Sequence, residues 1–145
     1  MGWSPGGAEP RPPRHGVHRK EADLPATSVA PKLARRMVGD ALGDLLSAAY
    51  FHEAALMVSE LVTNSLLHSG AGPDDRLHLA IDVSHNLARV TVTDPGPGFD
   101  PAFSGPSAEM ERGRGLGIVE SLSWRWGVQS GPPTEVWFEV PLRPT

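Results

Sequence analysis

Near residue 70 the spacing of apolar residues changes from that of helices to that of strands, which splits the chain into a helical half and a mostly stranded half. Residues 27–47, TSVAPKLARRMVGDALGDLLS, set Leu33, Met37, Val38, Ala41, Leu42, Leu45 and Leu46 at helical intervals. Thr27 or Ser28 is placed to cap that helix, and Pro31 falls in the first turn, where its missing N–H does no harm. A second helix is expected from Phe51 to His68 on the recurrence of Ala54, Ala55, Val58, Leu61, Val62 and Leu66, with Ser69 and Gly70 as its stop. Beyond it Leu77, Leu79, Ile81 and Val83 alternate with His78, Ala80 and Asp82, and after Ser84, His85 and Asn86 the run Leu87 to Thr93 reads as the return strand of a hairpin. The Gly- and Pro-rich stretch from Asp94 to Gly115 is longer than an ordinary connection and is of the kind that carries function. A short helix, Leu116 to Ser123, and two strands, Trp126 to Gln129 and Glu135 to Val140, complete the order, joined across Gly131, Pro132 and Pro133. No internal repeat is visible. The expected architecture is α+β, a two-layer sandwich of a mainly antiparallel, mixed sheet with helices on one face.

A chain of 145 residues sits near the commonest domain size and buries one core rather than two. Residues 1–15, MGWSPGGAEPRPPRH, hold Gly, Pro and Arg without an apolar period; a disordered arm is expected there and a single domain over 16–145. The formal net charge of -4 argues against nucleic-acid binding through a basic field, although Arg11, Arg14, Arg19 and Lys20 make the N-terminal region locally positive. Without cysteine there is no disulfide, thiolate zinc site or cysteine nucleophile. No apolar leader or membrane-length apolar stretch is present, so the cytoplasm is the default location and no membrane partner is expected.

Three short segments carry chemistry. In the second helix Glu60, Asn64 and His68 recur at every fourth position along one polar face, opposite Val58, Leu61, Val62 and Leu66. An amphipathic helix accounts for much of this pattern. The residue types add to it, because a carboxylate and a neutral amide oxygen pointing together suit a hard cation and a reacting water or hydroxyl, and magnesium commonly takes only one or two protein oxygens beside phosphates and water. Asp94, at the end of a strand, starts Asp94-Pro95-Gly96-Pro97-Gly98-Phe99: either an ordinary turn, or an acceptor for an exocyclic amine with Gly96 and Gly98 letting a flat ring approach. Arg112, Gly113, Arg114, Gly115, Leu116 and Gly117 lead into a helix whose free N–H groups attract phosphate; a flexible linker is the plainer reading. Neither a G-x-x-x-x-G-K-[ST] loop nor a strand followed by G-x-G-x-x-G occurs.

Taken in order, these segments resemble the GHKL superfamily of ATPases and kinases, which share the Bergerat nucleotide fold. Glu60 to His68 (ELVTNSLLH) is similar to its N box, Asp94 to Phe99 to its G1 box and Gly113 to Gly117 to its G2 box. The phrases SELVTN, GRGLGIVESL, RWGV and EVWFEVPL resemble the small stand-alone anti-sigma-factor serine kinases of actinobacteria over residues 20–142. The resemblance implies ATP and Mg2+ as ligands, Glu60 as base or water-orienting carboxylate, Asn64 as the magnesium ligand and Asp94 as acceptor of the adenine amine. It further implies Gly96 and Gly98 as the floor of the base pocket, residues 100–115 as an ATP lid, and Arg112, Gly113, Arg114, Gly115, Leu116 and Gly117 near the phosphates. Its members phosphorylate a serine or threonine of an antagonist protein, sequester a sigma factor in another state, and are often homodimers.

Two positions depart from the pattern. Alignment on Val136-Trp137-Phe138-Glu139 puts Glu135 where the family has a threonine that helps hold adenine through water, with Thr134 one place early, so that a shift of strand register is needed for Thr134 to make that contact. Leu67 stands where an arginine often precedes the histidine, and His68 reads as a hydrogen-bonded helix-end residue. The leading expectation is a serine/threonine protein kinase whose catalysis is mostly positioning and charge neutralisation. The alternative is a non-catalytic module that uses ATP to select partners. The ATP-binding half of a histidine kinase fits less well, since no dimerisation hairpin surrounds His52.

Overall fold

The structure is a computed structural model that describes residues 18–97 and 115–142; the expected arm over 1–15 and most of the long Gly- and Pro-rich stretch lie outside them. Eight elements follow one another: β1 (His18–Pro25), α1 (Ala30–Leu42), α2 (Ala48–His68), β2 (Arg76–Val83), β3 (Leu87–Asp94), α3 (Gly115–Leu122), β4 (Arg125–Gln129) and β5 (Thr134–Pro141). The strands form one sheet in the order β1-β2-β3-β5-β4, and every neighbouring pair is antiparallel, so among the described strands the sheet is uniformly antiparallel rather than mixed. No helix among the described residues is long and apolar enough to cross a membrane.

β1 was not expected. Its sequence, HRKEADLP, buries only Leu24 and lacks an apolar period because it is an edge strand, and charged side chains on an edge discourage pairing with another chain. It is held by full pairing with β2 and by side-chain bonds on the exposed face: Arg19 to Asp82 at 2.8 Å, and His78 to Glu21 at 2.9 Å and Asp23 at 2.8 Å.

The first helix is shorter than its apolar pattern. Neither Thr27 nor Ser28 caps it; Val29 is the cap residue without a side-chain bond, and the entry turn is closed by the Ala30 N–H donating to the Thr27 carbonyl. Leu45 and Leu46 continue the period beyond its end, yet both N–H groups turn back to the Leu42 carbonyl and close a corner. Ser47, extended and accepting from the Tyr50 N–H at 3.2 Å, then starts α2 three residues before the expected Phe51. Ala48, Ala49 and Tyr50 are exposed, which is why periodicity did not include them. At its other end Gly70 takes the left-handed conformation, φ 76°, as a helix stop requires.

Strand parity creates two different sheet faces. Leu24, Leu77, Leu79, Ile81, Val83, Ala88, Val90, Val92, Val136, Phe138 and Val140 share one face and join Ala34, Val38, Leu42, Met57, Val58, Leu61, Val62 and Val119 of the helices in a single core. The opposite face is polar. There the register aligns Arg19, Asp82, Arg89, Glu139 and Arg125 in one row across all five strands. Glu139 is fully buried, its Oε2 accepting from Arg89 Nε at 2.9 Å and its Oε1 from Arg125 Nε at 2.7 Å, while Arg89 stacks 3.7 Å from the Trp137 ring centroid. Trp137 in turn lies across Gly127, where a Cβ would come within 2.7 Å of the indole.

Candidate functional site

The site is assembled from the C-terminal half of α2 and the matching ends of β3 and β5. On α2 the burial of Ala54, Met57, Val58, Leu61 and Val62 fixes the rotation of the helix, which leaves Glu60 half-buried and brings Asn64 to 7% exposure at its margin. Asn64 Oδ1 is buried and has no hydrogen-bond partner among the described residues. Such an acceptor carries a desolvation cost of about 1–3 kcal/mol unless something donates to it or coordinates it. Four residues earlier, Glu60 lies about one turn away on the same side of the helix. His68 and Leu67 are exposed in the last turn.

Asp94 closes β3 and is buried. Its Oδ1 accepts from the Gly96 N–H at 2.8 Å, which folds the following backbone over the carboxylate and leaves Oδ2 without a bond among the described residues. The backbone of Gly96 presses against the end of α2: a Cβ there would stand 2.7 Å from both Ser69 Cα and Ser69 O, so glycine is required for the approach. Ser69 lies five residues past Asn64, about 7–8 Å along the helix axis, so the Asp94 loop and the unpaired amide belong to one neighbourhood.

Thr134 corrects the alignment. It is Thr134, not Glu135, that lies opposite Asp94 in the β3–β5 register, on the same side of the sheet and almost fully buried. Glu135 pairs with Thr93 and Gln129 on the polar face. The reason is parity: Thr134 shares the inward direction of Val136, Phe138 and Val140, a pattern the sequence already contained. Thr134 Oγ1 donates to the Gly96 carbonyl at 2.8 Å and accepts from the Gly131 N–H at 3.1 Å.

Of the residues expected near phosphate, Gly115, Leu116 and Gly117 open α3, which packs beside α2, and Leu116 is buried. Gly98, Arg112, Gly113 and Arg114 lie outside the described residues. Ser69 was anticipated only as a helix stop; its contact with Gly96 depends on a close approach between segments distant in sequence, which no local signal encodes.

The donor set suits a magnesium nucleotide. Asn64 Oδ1 is a neutral oxygen of the kind magnesium accepts, and among the described residues no cluster of three or more His, Asp or Glu could hold a metal, so a cation here would draw its remaining ligands from phosphate and water. Asp94 is buried, and its Oδ2 is an acceptor beside the Gly96 backbone.

A five-stranded antiparallel sheet layered against helices, with the amide-bearing helix beside the aspartate strand end, makes a two-layer α+β domain. The profile of the histidine kinase-like ATPase domain matches residues 24–139, and the chain belongs to that family. It is 36% identical over 73 residues to an uncharacterized protein of Streptomyces coelicolor, a match covering 50% of this chain and 69% of that protein. Its fold is similar to that in the crystal structure of the RsbU and RsbW domains of Rv1364c from Mycobacterium tuberculosis, with a TM-score of 0.67 at 19% identity. That match covers 88% of this chain but 34% of the larger one, so the chain spans about a third of its length.

Proposed function

We propose that this protein binds Mg-ATP and acts as a serine/threonine protein kinase of the anti-sigma type, transferring the γ-phosphoryl group to a hydroxyl of an antagonist protein. The observation that carries the reading is the buried Asn64 Oδ1, without a hydrogen-bond partner among the described residues, one turn from Glu60 on α2. Family membership supports the nucleotide; the resemblance of SELVTN and GRGLGIVESL to anti-sigma kinases supports the protein substrate. Sigma factor and antagonist are the partners this implies, with the cytoplasm as location and a homodimer as assembly.

Asp94 Oδ2 accepts the adenine amine, and the Gly96 backbone bounds the base. The N-terminus of α3, with Gly115, Leu116 and Gly117, is the helix end that would meet the phosphates; the roles the resemblance gives to Gly98 at the base and to Arg112, Gly113 and Arg114 at the phosphates fall on residues outside those described. Asn64 would hold the magnesium ion, which would supply charge neutralisation at the phosphate oxygens. Glu60 orients the partner's serine or threonine hydroxyl and takes its proton as the oxygen bonds to the γ-phosphorus; the bond from that phosphorus to the β–γ bridging oxygen breaks and ADP leaves.

The test combines titration calorimetry with Mg-ATP and transfer of labelled γ-phosphate to a co-purified partner. Glu60→Ala should bind ATP within about twofold of wild type while transfer falls by 10²-fold or more, the usual weight of a positioned base. Unchanged transfer removes Glu60 from the mechanism, and a wild type that binds but never transfers to its retained partner leaves the switching module instead.

A further inference from the structure

Thr134 was expected to touch the nucleotide. The single hydroxyl hydrogen is committed to the Gly96 carbonyl at 2.8 Å, and one lone pair receives the Gly131 N–H at 3.1 Å. With 1% exposure the side chain offers little further surface. Gly96 is meanwhile held on two other sides, its N–H by Asp94 Oδ1 and its Cα by the backbone of Ser69. Three elements therefore meet on one glycine: β5 through Thr134, β3 through Asp94 and α2 through Ser69.

We infer that Thr134 is a positioning residue for base recognition, fixing the Gly96 peptide so that Asp94 keeps Oδ1 occupied and presents Oδ2 to the exocyclic amine of the purine. This rests on the nucleotide reading above and adds to it a residue that sets specificity without touching the base. The mechanism is one of orientation. While Gly96 is clamped, the Asp94 carboxylate has one rotational setting; once the carbonyl of Gly96 is released, the peptide can turn, its N–H leaves Oδ1, and the carboxylate loses the constraint that aims its second oxygen. Glycine, with no Cβ to resist rotation, makes the clamp necessary. A hydroxyl is the one group of this size able to bond Gly96 and Gly131 together, which an isosteric valine cannot do.

The experiment compares ATP with purine riboside triphosphate, which lacks the exocyclic amine, by calorimetric titration of wild type, Thr134→Val and Thr134→Ser. Wild type should prefer ATP. Thr134→Val should lose about fivefold to tenfold in ATP affinity, the equivalent of one aimed hydrogen bond. It should change by less than about twofold toward the amine-free nucleotide, so that discrimination collapses. Thr134→Ser, which keeps the hydroxyl, should retain discrimination, and this holds as the decisive comparison with Thr134→Ala if the valine variant does not fold. Equal losses for both nucleotides would mean that Thr134 contacts the ligand elsewhere and would overturn the inference, as would undiminished discrimination in a folded Thr134→Val or Thr134→Ala protein. A wild type that binds both nucleotides equally, or neither, overturns the base-pocket reading itself, an outcome distinct from failure of Thr134 alone.

Discussion

Replacing Glu139 by leucine removes a carboxylate that is fully buried on the polar face of the sheet and bonded on both oxygens. Two guanidinium groups lose that partner unequally. The Arg125 side chain is 31% exposed and can turn toward water, so its loss is small. Arg89 is 5% exposed, stacked on Trp137 and packed into the row, so its charge is left in place without the carboxylate that balanced it. Breaking a buried pair from one side costs about 3–5 kcal/mol, and the lower end applies here because Asp82 is the neighbour of Arg89 on β2. For a domain of this size each kcal/mol lowers the melting temperature by about 3–5 °C, so a fall on the order of 10–15 °C is expected. Replacing both partners, Arg89→Met with Glu139→Leu, should recover most of it, because an apolar pair of similar volume carries no desolvation penalty. Thermal and urea unfolding followed by circular dichroism would read both, with the midpoint moving and the urea slope unchanged. A Glu139→Leu protein melting within about 3 °C of wild type, or a double variant no better than the single, would refute the argument.

Three further outcomes follow from the same geometry. Asp94→Asn should weaken ATP binding and shrink the preference for ATP over GTP in calorimetric titration, since an amide presents a donor where the carboxylate accepted; an unaltered preference counts against the Asp94 assignment. Gly127→Ala should cost about 1–3 kcal/mol in urea unfolding, because the new methyl meets the Trp137 ring at 2.7 Å; no loss would mean the indole moves aside freely. The Glu21 carboxyl is held below its ordinary range by its bond from Arg19, with His78 adding to it. Its contribution is therefore present above the ordinary carboxylate range and lost as pH falls through the depressed value. Amide exchange of β1 should consequently separate Glu21→Gln from wild type near neutrality and bring them together in stronger acid; a difference that persists in acid contradicts this.

Much of the fold is legible because burial leaves a period. The inward faces of β2, β3 and β5 and the buried stripe of α2 can be read from spacing, and the Glu60 and Asn64 pair stands out because a solvated helix face rarely chooses those types. What stays hidden is of two kinds. β1 carries no apolar alternation, because an edge strand with one layer behind it needs only Leu24 to be buried. The corner at residues 43–46 is hidden by Leu45 and Leu46, which keep the helical spacing although the backbone has already turned. The second kind is long-range. The row from Arg19 to Arg125 and the clamp on Gly96 depend on strand register between segments tens of residues apart, and only the parity of Thr134 with Val136 and Phe138 hinted at one such contact.

The interleaved strand order sets a timetable for biosynthesis. β5 is made after β4 yet lies between β4 and β3, so a nascent chain without β5 has a three-stranded sheet, β1-β2-β3, a lone β4 and no strand opposite Asp94. The surroundings of Asp94 are thus completed only when translation has delivered β5, and a ribosome stalled before that point would hold a helical layer over an unfinished sheet.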